Sequence, residues 1–541
     1  MNGEDSVLTY QRLGANRAKD RSTGRNRPSR PQVVIAGAGP GGLAAAMLLA
    51  HAGADVVVLE RKDRVGGRSA ALRAGGFRFD LGPTFFLYPR VLAEIFAACG
   101  HRLEDEVELL RLDPMYHLLF EAGGEIRASA DLAALAADIA RLSPQDAAAV
   151  PRFIDDNRAK FEAFRPILQR PFAGWRDLVG TDLLRALPAL RPWRSVDGEL
   201  ARYFSDQRVR LAFSFQSKYL GMSPFKCPSL FTILSFMEYE HGVFHPRGGC
   251  GAVVEAMARV ARRAGVQIQL EEPITEILFE GRRAVGVRTD RADYRSDALV
   301  INADFAKTMT TLVPDRLRRR WSDRKLAKKR YSCSTFMMYL GIKGRFDHLA
   351  HHTIYLAEDY RRNISAIERG DIPPDAPSLY VQNACVTDPE QAPPGHSTLY
   401  VLVPVGNLAG GIDWQRESAR YRALVLRRLA EMGIDHLEQR IRFERIITPA
   451  DWEQDMQIYR GATFNLAHNM GQMLHNRPRN RFEDLEQVYL VGGGTHPGSG
   501  LPVIFESARI TSRLLAQDVG LTPSDDAELP DASPVQLARA S

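Results

Sequence analysis

The chain predicts an α/β fold in which a Rossmann-type dinucleotide-binding domain, built in pieces, is interrupted by a discontinuous α+β domain. A strand–turn–helix–strand signature begins at Val33. A second strand–glycine turn–helix signature begins at Val488, and most of the chain lies between the two. The length, 541 residues, exceeds what a single hydrophobic core usually supports, so two domains are expected.

The first signature runs from Val33 to Gly42, through a helical stretch, to Asp55–Glu60. Gly37, Gly39 and Gly42 occupy the three glycine positions of G-x-G-x-x-G. The first permits the tight turn, the second lets backbone approach a pyrophosphate, and the third lets the helix pack close to the strand. Phosphate charge then meets free N–H groups at the helix N-terminus. Glu60 ends the second strand, where its carboxylate accepts from ribose hydroxyls and repels a 2′-phosphate. Arg61 follows it, and then Arg64-Val65-Gly66-Gly67-Arg68. A glycine pair flanked by arginines lets the chain fold back over a dinucleotide, which simple nicotinamide dehydrogenases do not do.

Composition fits a globular enzyme, with 45% hydrophobic and 25% charged residues. A net charge of +6 is small for this length, and no aromatic-interleaved basic groove motif is present, so nucleic acid is not an expected partner. The five cysteines, Cys99, Cys227, Cys250, Cys333 and Cys385, are widely spaced with no C-x-x-C pair. That pattern points to reduced thiols in a cytoplasmic protein, with no disulfide framework and no metal site. The polar, basic residues 1–30 followed by uncharged Val33–Ala50 mimic a signal peptide or membrane span. Glycines in the dinucleotide pattern interrupt that run, so a buried strand and helix are expected instead. Residues 1–30 read as a flexible basic arm and 521–541 as a disordered tail.

Between the signatures the chain alternates between domains. The nucleotide-binding domain takes 31–84, 246–305 and 485–520, and the second domain takes 85–245 and 306–484. Helical periodicity marks 85–245, as in Val91–Phe96 and Leu132–Ile139. Pro246-Arg247-Gly248-Gly249 opens a helix through Val254, Met257 and Val260. Strands follow at Val266–Leu270, Pro273–Ile277 and Val285–Val287, and Ala298–Asp304 reads as a buried strand. Beyond 306 the runs Ser334–Leu340 and Leu399–Val403 read as β. In the closing signature, Val488–Val491 leads into Gly492-Gly493-Gly494-Thr495-His496-Pro497-Gly498, then a helix through Ile504, Ala508 and Leu514.

Arg64–Arg68 and Phe77–Thr84 resemble the FAD-binding start of the amine oxidase and phytoene desaturase superfamily. The run Cys385-Val386-Thr387-Asp388-Pro389, with Ala392–Gly395, Ser397-Thr398, Tyr400–Leu402 and Gly494–Gly498, resembles the bacterial phytoene desaturase family of FAD-dependent carotenoid desaturases. The likeness extends from about Val33 to Leu515. It implies a p-hydroxybenzoate-hydroxylase-like arrangement, with an FAD domain, a substrate domain on a β-sheet floor and a tunnel for a long polyene. It also implies FAD contacts from Gly37, Gly39, Gly42, Glu60, Arg61, Gly66, Gly67, Arg68, Ile274, Gly494, Thr495, Gly498, Pro502 and Val503. The closing helix N-terminus would face the flavin's anionic N1–O2 edge. Two positions depart from the pattern. Gly494-Thr495 stands where many flavoproteins carry an acid, and Val503 stands where the desaturases usually carry glycine.

The implied activity is desaturation of a long acyclic isoprenoid, with electrons passed to quinone or oxygen. Such a substrate is held by apolar burial, and the cofactor carries the hard step. Asp155 and Arg158, one helical turn apart, are a candidate catalytic pair or an exposed ion pair. His496 is either a flavin neighbour or a loop histidine satisfied by backbone. Nine Lys or Arg residues lie between Arg316 and Arg330, with Leu317, Trp321 and Leu326 among them. They form either a peripheral membrane-binding helix or a solvated face. Two other activities share the fold: a flavin amine oxidase, and a non-catalytic isoprenoid-binding escort resembling the Rab GDP-dissociation inhibitors. The absence of a cysteine after Cys385 argues against a covalent-flavin amine oxidase, and the intact glycines and Glu60 argue against the escort.

Overall fold

The computed structural model describes residues 30–174, 176–177, 181–371, 376–524 and 538–539. Apart from Arg30, the arm expected over 1–30 lies outside the described residues, as does most of the tail. Of that tail, Ala538–Arg539 pairs in parallel with Leu110–Arg111.

Five parallel strands form the nucleotide-binding sheet, in the order Gln267–Gln269, Asp55–Leu59, Gln32–Ala36, Ala298–Ile301, Val488–Leu490. Parallel strands need crossovers, and a sheet covered on both faces reads as near-continuous apolar runs. Val33, Val34 and Ile35 fit this, as does fully buried Ala298–Ile301. Helices Pro40–His51, Cys250–Arg263 and Leu501–Asp518 cover one face, packing Leu43, Met47, Met257 and Ala508 against Val33, Ile35 and Val300. The other face packs Val34, Leu299 and Leu490 against Ile277 and Val287 of the antiparallel sheet Ile274–Glu280, Arg283–Thr289, Asp293–Arg295. Phe305, Met309, Trp321 and Leu326 join that second face, so packing onto this sheet continues past residue 305.

A seven-stranded sheet forms the other half. Its order is Ile441–Ile447, Ser334–Lys343, His396–Val405, Leu379–Gln382, His352–Leu356, Tyr116–Phe120, Glu125–Ala128. Side chains alternate across a strand. Phe336, Met338, Leu340 and Ile342 therefore pack with Trp414, Tyr421 and Val425 of helix Trp414–Glu431, while Thr335 and Met337 line a cavity on the opposite face. Burial on both faces is why this strand reads as an unbroken apolar run. The segment 85–245 contributes more than the helices its periodicity predicts. Strands Tyr116–Phe120 and Glu125–Ala128 form the end of this sheet, the former joined in parallel to His352–Leu356. Their pattern was masked because Tyr116, Leu118 and Phe120 are buried while His117 and Leu119 are only half-buried, too short an alternation to stand out among helices.

Candidate active site

The carboxyl ends of the parallel strands converge on a turn that has no room for side chains. Asn302, just past strand Ala298–Ile301, donates its backbone N–H to Ala36 O at 2.9 Å and its side-chain amide to Gly37 O at 3.1 Å. A Cβ on Gly42 would meet Gly37 O at 2.3 Å and Asn302 Nδ2 at 2.7 Å, and one on Gly41 would meet Asn302 Oδ1 at 2.8 Å. Gly37 itself has φ +100°, which side-chain-bearing residues avoid. Helix Pro40–His51 starts at this turn, so its first N–H groups have no intrahelical acceptor and point out of the turn.

Glu60 is buried at 7% exposure and is held by two backbone donors, Ala38 N to Oε2 and Lys62 N to Oε1, each at 2.9 Å. The glycine pair folds back on the turn: Gly66 N donates to Ala38 O at 2.7 Å, and Gly66 and Gly67 both have positive φ. Arg68 donates to Thr463 O at 2.5 Å, and the Arg61 guanidinium to Asp455 O. The second glycine turn closes the cradle. A Cβ on Gly498 would meet His468 Nε2 at 2.6 Å, and a Cβ on Gly494 would meet Phe305 Cβ at 2.9 Å.

A cavity of about 1000 Å³ runs from this cradle into the second domain. Of the candidate residues, Gly37, Gly39, Glu60, Arg61, Gly67, Arg68, Ile274, Gly494, His496, Gly498, Pro502 and Val503 line it. Gly42 and Gly66 do not; they permit close packing behind the lining. Thr495 is buried and gives its hydroxyl to Pro478 O, so it braces the turn instead of facing the cavity. Asp155 and Arg158 are not brought to the cavity either. They pair at 2.7 Å on the exposed side of helix Val150–Leu168, where Arg158 also pairs with Glu240.

His496 lines the cavity, and it bonds to Arg170 O at 3.0 Å. Burial pushes its pKa down to about 3, so near pH 7 the ring is a neutral imidazole that gives its N–H to Arg170 O and carries no imidazolium proton. The basic segment is not one amphipathic helix. Trp321 and Leu326 are buried against the nucleotide-binding sheet, and Arg318 is buried, donating to Val313 O, Trp321 O and Asp323. The outward-facing charges are mostly basic, Arg316, Arg319, Arg324, Lys325, Lys328 and Arg330, with Asp315 and Asp323 among them.

Chain residues 40–519 match the family model for flavin containing amine oxidoreductases. The chain belongs to this family. The fold and the cradle agree: the two glycine turns leave the space a dinucleotide's phosphates need, and buried Glu60 lines the cavity beside the first of them, so FAD fits and is the cofactor. Among characterised relatives, the chain is 44% identical over 487 residues to "4,4'-diapophytoene desaturase (4,4'-diapolycopene-forming)" of Methylomonas sp, covering 90% of this chain and 95% of that protein. It is 37% identical over 507 residues to "All-trans-zeta-carotene desaturase" of Myxococcus xanthus, covering 91% and 94%. A solved putrescine oxidase variant shares the fold, with TM-score 0.61 and 18% identity over 91% of this chain and 99% of that one.

Sequence reading missed the polar groups behind the apolar lining. Glu238, on helix Ile233–His241, is completely buried and accepts from Tyr116 at 3.0 Å and Gln216 at 2.9 Å. Its neighbour Tyr219 lines the cavity. Burial raises the Glu238 carboxyl to about 7, against the pull of Gln216, Tyr219 and Tyr116. A raised pKa stabilises the fold most below the unfolded value of 4.5, and this contribution is lost as pH rises through about 7. Glu238→Gln should remove that dependence. Between pH 5 and pH 8 the wild-type protein should lose stability relative to the variant, by on the order of 3 kcal/mol. Urea midpoints measured at both pH values decide this; parallel pH profiles would show that Glu238 is not the titrating group.

Proposed function

We propose that the protein desaturates a long acyclic isoprenoid hydrocarbon, using FAD and passing electrons to quinone or oxygen. The observation that carries the reading is the single cavity that joins the nucleotide cradle to an apolar chamber. Phe215, Phe231, Leu234, Met237, Ile354 and Leu356 line that chamber. A hydrocarbon has no polar handle, so burial must bind it, at about 25 cal/mol per Å² of apolar surface covered. The relatives' names support a carotenoid precursor, and the 44% match to a 4,4'-diapophytoene desaturase favours a C30 chain over a C40 chain.

When bound, FAD supplies the hydride acceptor. The chain's own residues orient and exclude. The glycine turns and Glu60 hold the nucleotide, the apolar wall holds the chain against it, and water is kept from the reacting carbons. Neutral His496 serves as a positioning group rather than an acid. The Asp155–Arg158 pair contributes to the surface of its helix. We assign 31–84, 246–305 and 485–520 to nucleotide binding, and the remaining folded segments mainly to the substrate chamber.

Purified protein with FAD and liposomes carrying 4,4'-diapophytoene, phytoene or squalene should yield polyene absorbance that moves to longer wavelength with each added conjugated double bond. Diapophytoene should react fastest. Flavin that is bound and reducible, with no spectral change from any of these hydrocarbons, would refute the desaturase reading.

Glu60→Arg should lower FAD affinity at least tenfold, because it replaces a ribose acceptor with a cation and removes the acceptor of Ala38 N and Lys62 N. Flavin absorbance of the purified variant, titrated with FAD, measures this. Unchanged affinity would mean that the ribose lies elsewhere.

The outward basic face supports peripheral membrane association, which suits a substrate that resides in the bilayer. No helix among the described residues is long and apolar enough to cross a membrane. Replacing Arg316, Arg319, Arg324, Lys325, Lys328 and Arg330 by glutamine should weaken binding to phosphatidylserine vesicles at least tenfold, since each basic residue contributes about 1 kcal/mol near an anionic surface. The wild-type affinity should fall steeply with salt. Equal sedimentation of both proteins with the vesicles would leave this face merely solvated.

A further inference from the structure

The cavity wall carries two polar side chains that a hydrocarbon does not use. Lys218, in the 3-10 turn Phe215–Leu220, lines the cavity, and its ammonium has no hydrogen-bond or ion-pair partner among the described residues. The carboxylate whose field reaches it, Glu368, is already bonded to Lys226 at 2.7 Å. Asn363, on helix Tyr360–Arg369, also lines the cavity at 1% exposure, and neither its amide nitrogen nor its oxygen has a partner. Cys333 links the two. Its N–H donates to Gly221 O, which closes the Lys218 turn, at 3.2 Å, and its side chain packs in one apolar cluster with Leu220, Tyr360 and Ile364, the last two flanking Asn363 on its helix. Cys333, Tyr360 and Ile364 also line the cavity.

Both groups are costly for a chamber that binds only hydrocarbon. A buried polar group without a partner loses its hydration and gains nothing in return, and an unpaired cation loses more. Burial already holds the Lys218 amine below its ordinary pKa. Filling this part of the wall with another methylene would expose the same two groups to hydrocarbon. An anionic oxygen would neutralise the ammonium and accept from it, and the Asn363 amide would donate to the same group. A neutral hydroxyl would satisfy hydrogen bonds but leave the charge unpaired, so a carboxylate is the better match.

Resting on the desaturase reading, we infer that the cavity also accepts an acyclic isoprenoid bearing a terminal carboxylate, held by the Lys218 ammonium and the Asn363 amide. The substrate class then includes oxidised chains, with the carboxylate fixing which end of the chain enters this part of the cavity.

The test compares a C30 polyene carboxylic acid with the C30 polyene hydrocarbon of equal conjugation. Each is titrated in detergent micelles into the FAD-loaded protein, with affinity read from quenching of tryptophan fluorescence. Wild-type protein should prefer the acid. Lys218→Met should lower the ratio of acid affinity to hydrocarbon affinity at least about tenfold, Lys218→Arg should restore most of it, and Asn363→Leu should lower it by a smaller factor. Flavin content reports folding in every variant. Equal wild-type affinity for acid and hydrocarbon overturns the inference, as does an unchanged ratio in flavin-loaded Lys218→Met. Should Lys218→Met not retain flavin, the wild-type preference and Asn363→Leu decide alone. Polyene formation from unmodified hydrocarbon is scored in the same wild-type preparation. Its absence counts against the desaturase reading, whereas the acid preference is read from binding and stands or falls separately.

Discussion

The close approach of backbone around Asn302 is the constraint on which the rest of the site depends. Strand Gln32–Ala36, helix Pro40–His51 and the loop after Ala298–Ile301 meet where Gly39, Gly41 and Gly42 face the Asn302 side chain and Gly37 faces its backbone carbonyl. The Asn302 side-chain oxygen also lies 3.3 Å from where a Cβ on Gly492 would stand, so both glycine turns close around the same residue. Only with side chains absent can the helix start lie near enough to offer its N–H groups to a phosphate. Glu60 is then fixed by Ala38 N, a donor of that same turn. The first glycine turn and Glu60 are thus one hydrogen-bonded arrangement.

A second brace ties the nucleotide-binding sheet to the chamber. Asp388, from the loop between strands Leu379–Gln382 and His396–Val405, accepts from Gly248 N at 2.7 Å, from Gln391 at 2.6 Å and from His245 at 3.2 Å. Burial alone would raise its pKa, yet these bonds outweigh burial and hold the carboxyl at about 2. The turn it grips, Pro246–Gly249, opens helix Cys250–Arg263, which packs on the parallel sheet. The Cys385–Pro389 run and the Pro246–Gly249 turn are therefore one contact.

Local signals were legible and side-chain destinations were not. Glycine spacing followed by an acid encodes a turn within thirty residues, so the Val33–Glu60 unit could be read directly. The alternation of Ser334–Lys343 was hidden because both faces are buried. Trp321 and Leu326 suggested a lipid-facing stripe, but the partner that covers them comes from strands remote in the chain. Thr495 was placed in the right turn, yet its hydroxyl turns back to Pro478 O. Asp155 and Arg158 do share a helix face, and spacing alone could not say that this face is exposed. Asn302 left a signal that was available, a polar side chain ending a wholly apolar strand. Glu238 left none, since nothing local distinguishes a buried carboxylate from an exposed one.

The chamber's low polarity is itself built from polar residues. Three tyrosines of the seven-stranded sheet turn their hydroxyls toward the loop Leu81–Thr84. Tyr339 donates to Leu81 O at 2.5 Å and Tyr400 to Gly82 O at 2.7 Å, while the Tyr380 hydroxyl lies between Thr84 Oγ1 at 2.8 Å and His352 Nδ1 at 2.7 Å. Behind them His351 and His352 are held well below their ordinary pKa by burial and by each other's neighbours, so this layer carries no imidazolium charge. Phenylalanine in these positions would keep the rings but strand the carbonyls of the loop, each costing about 1–3 kcal/mol if left buried and unpaired. Tyrosine solves both requirements, since its apolar body and polar tip point in different directions. Tyr380 and Tyr400, which line the cavity, thereby help anchor the loop that follows the Arg64–Arg68 fold-back, so the cradle and the cavity wall share one set of hydrogen bonds.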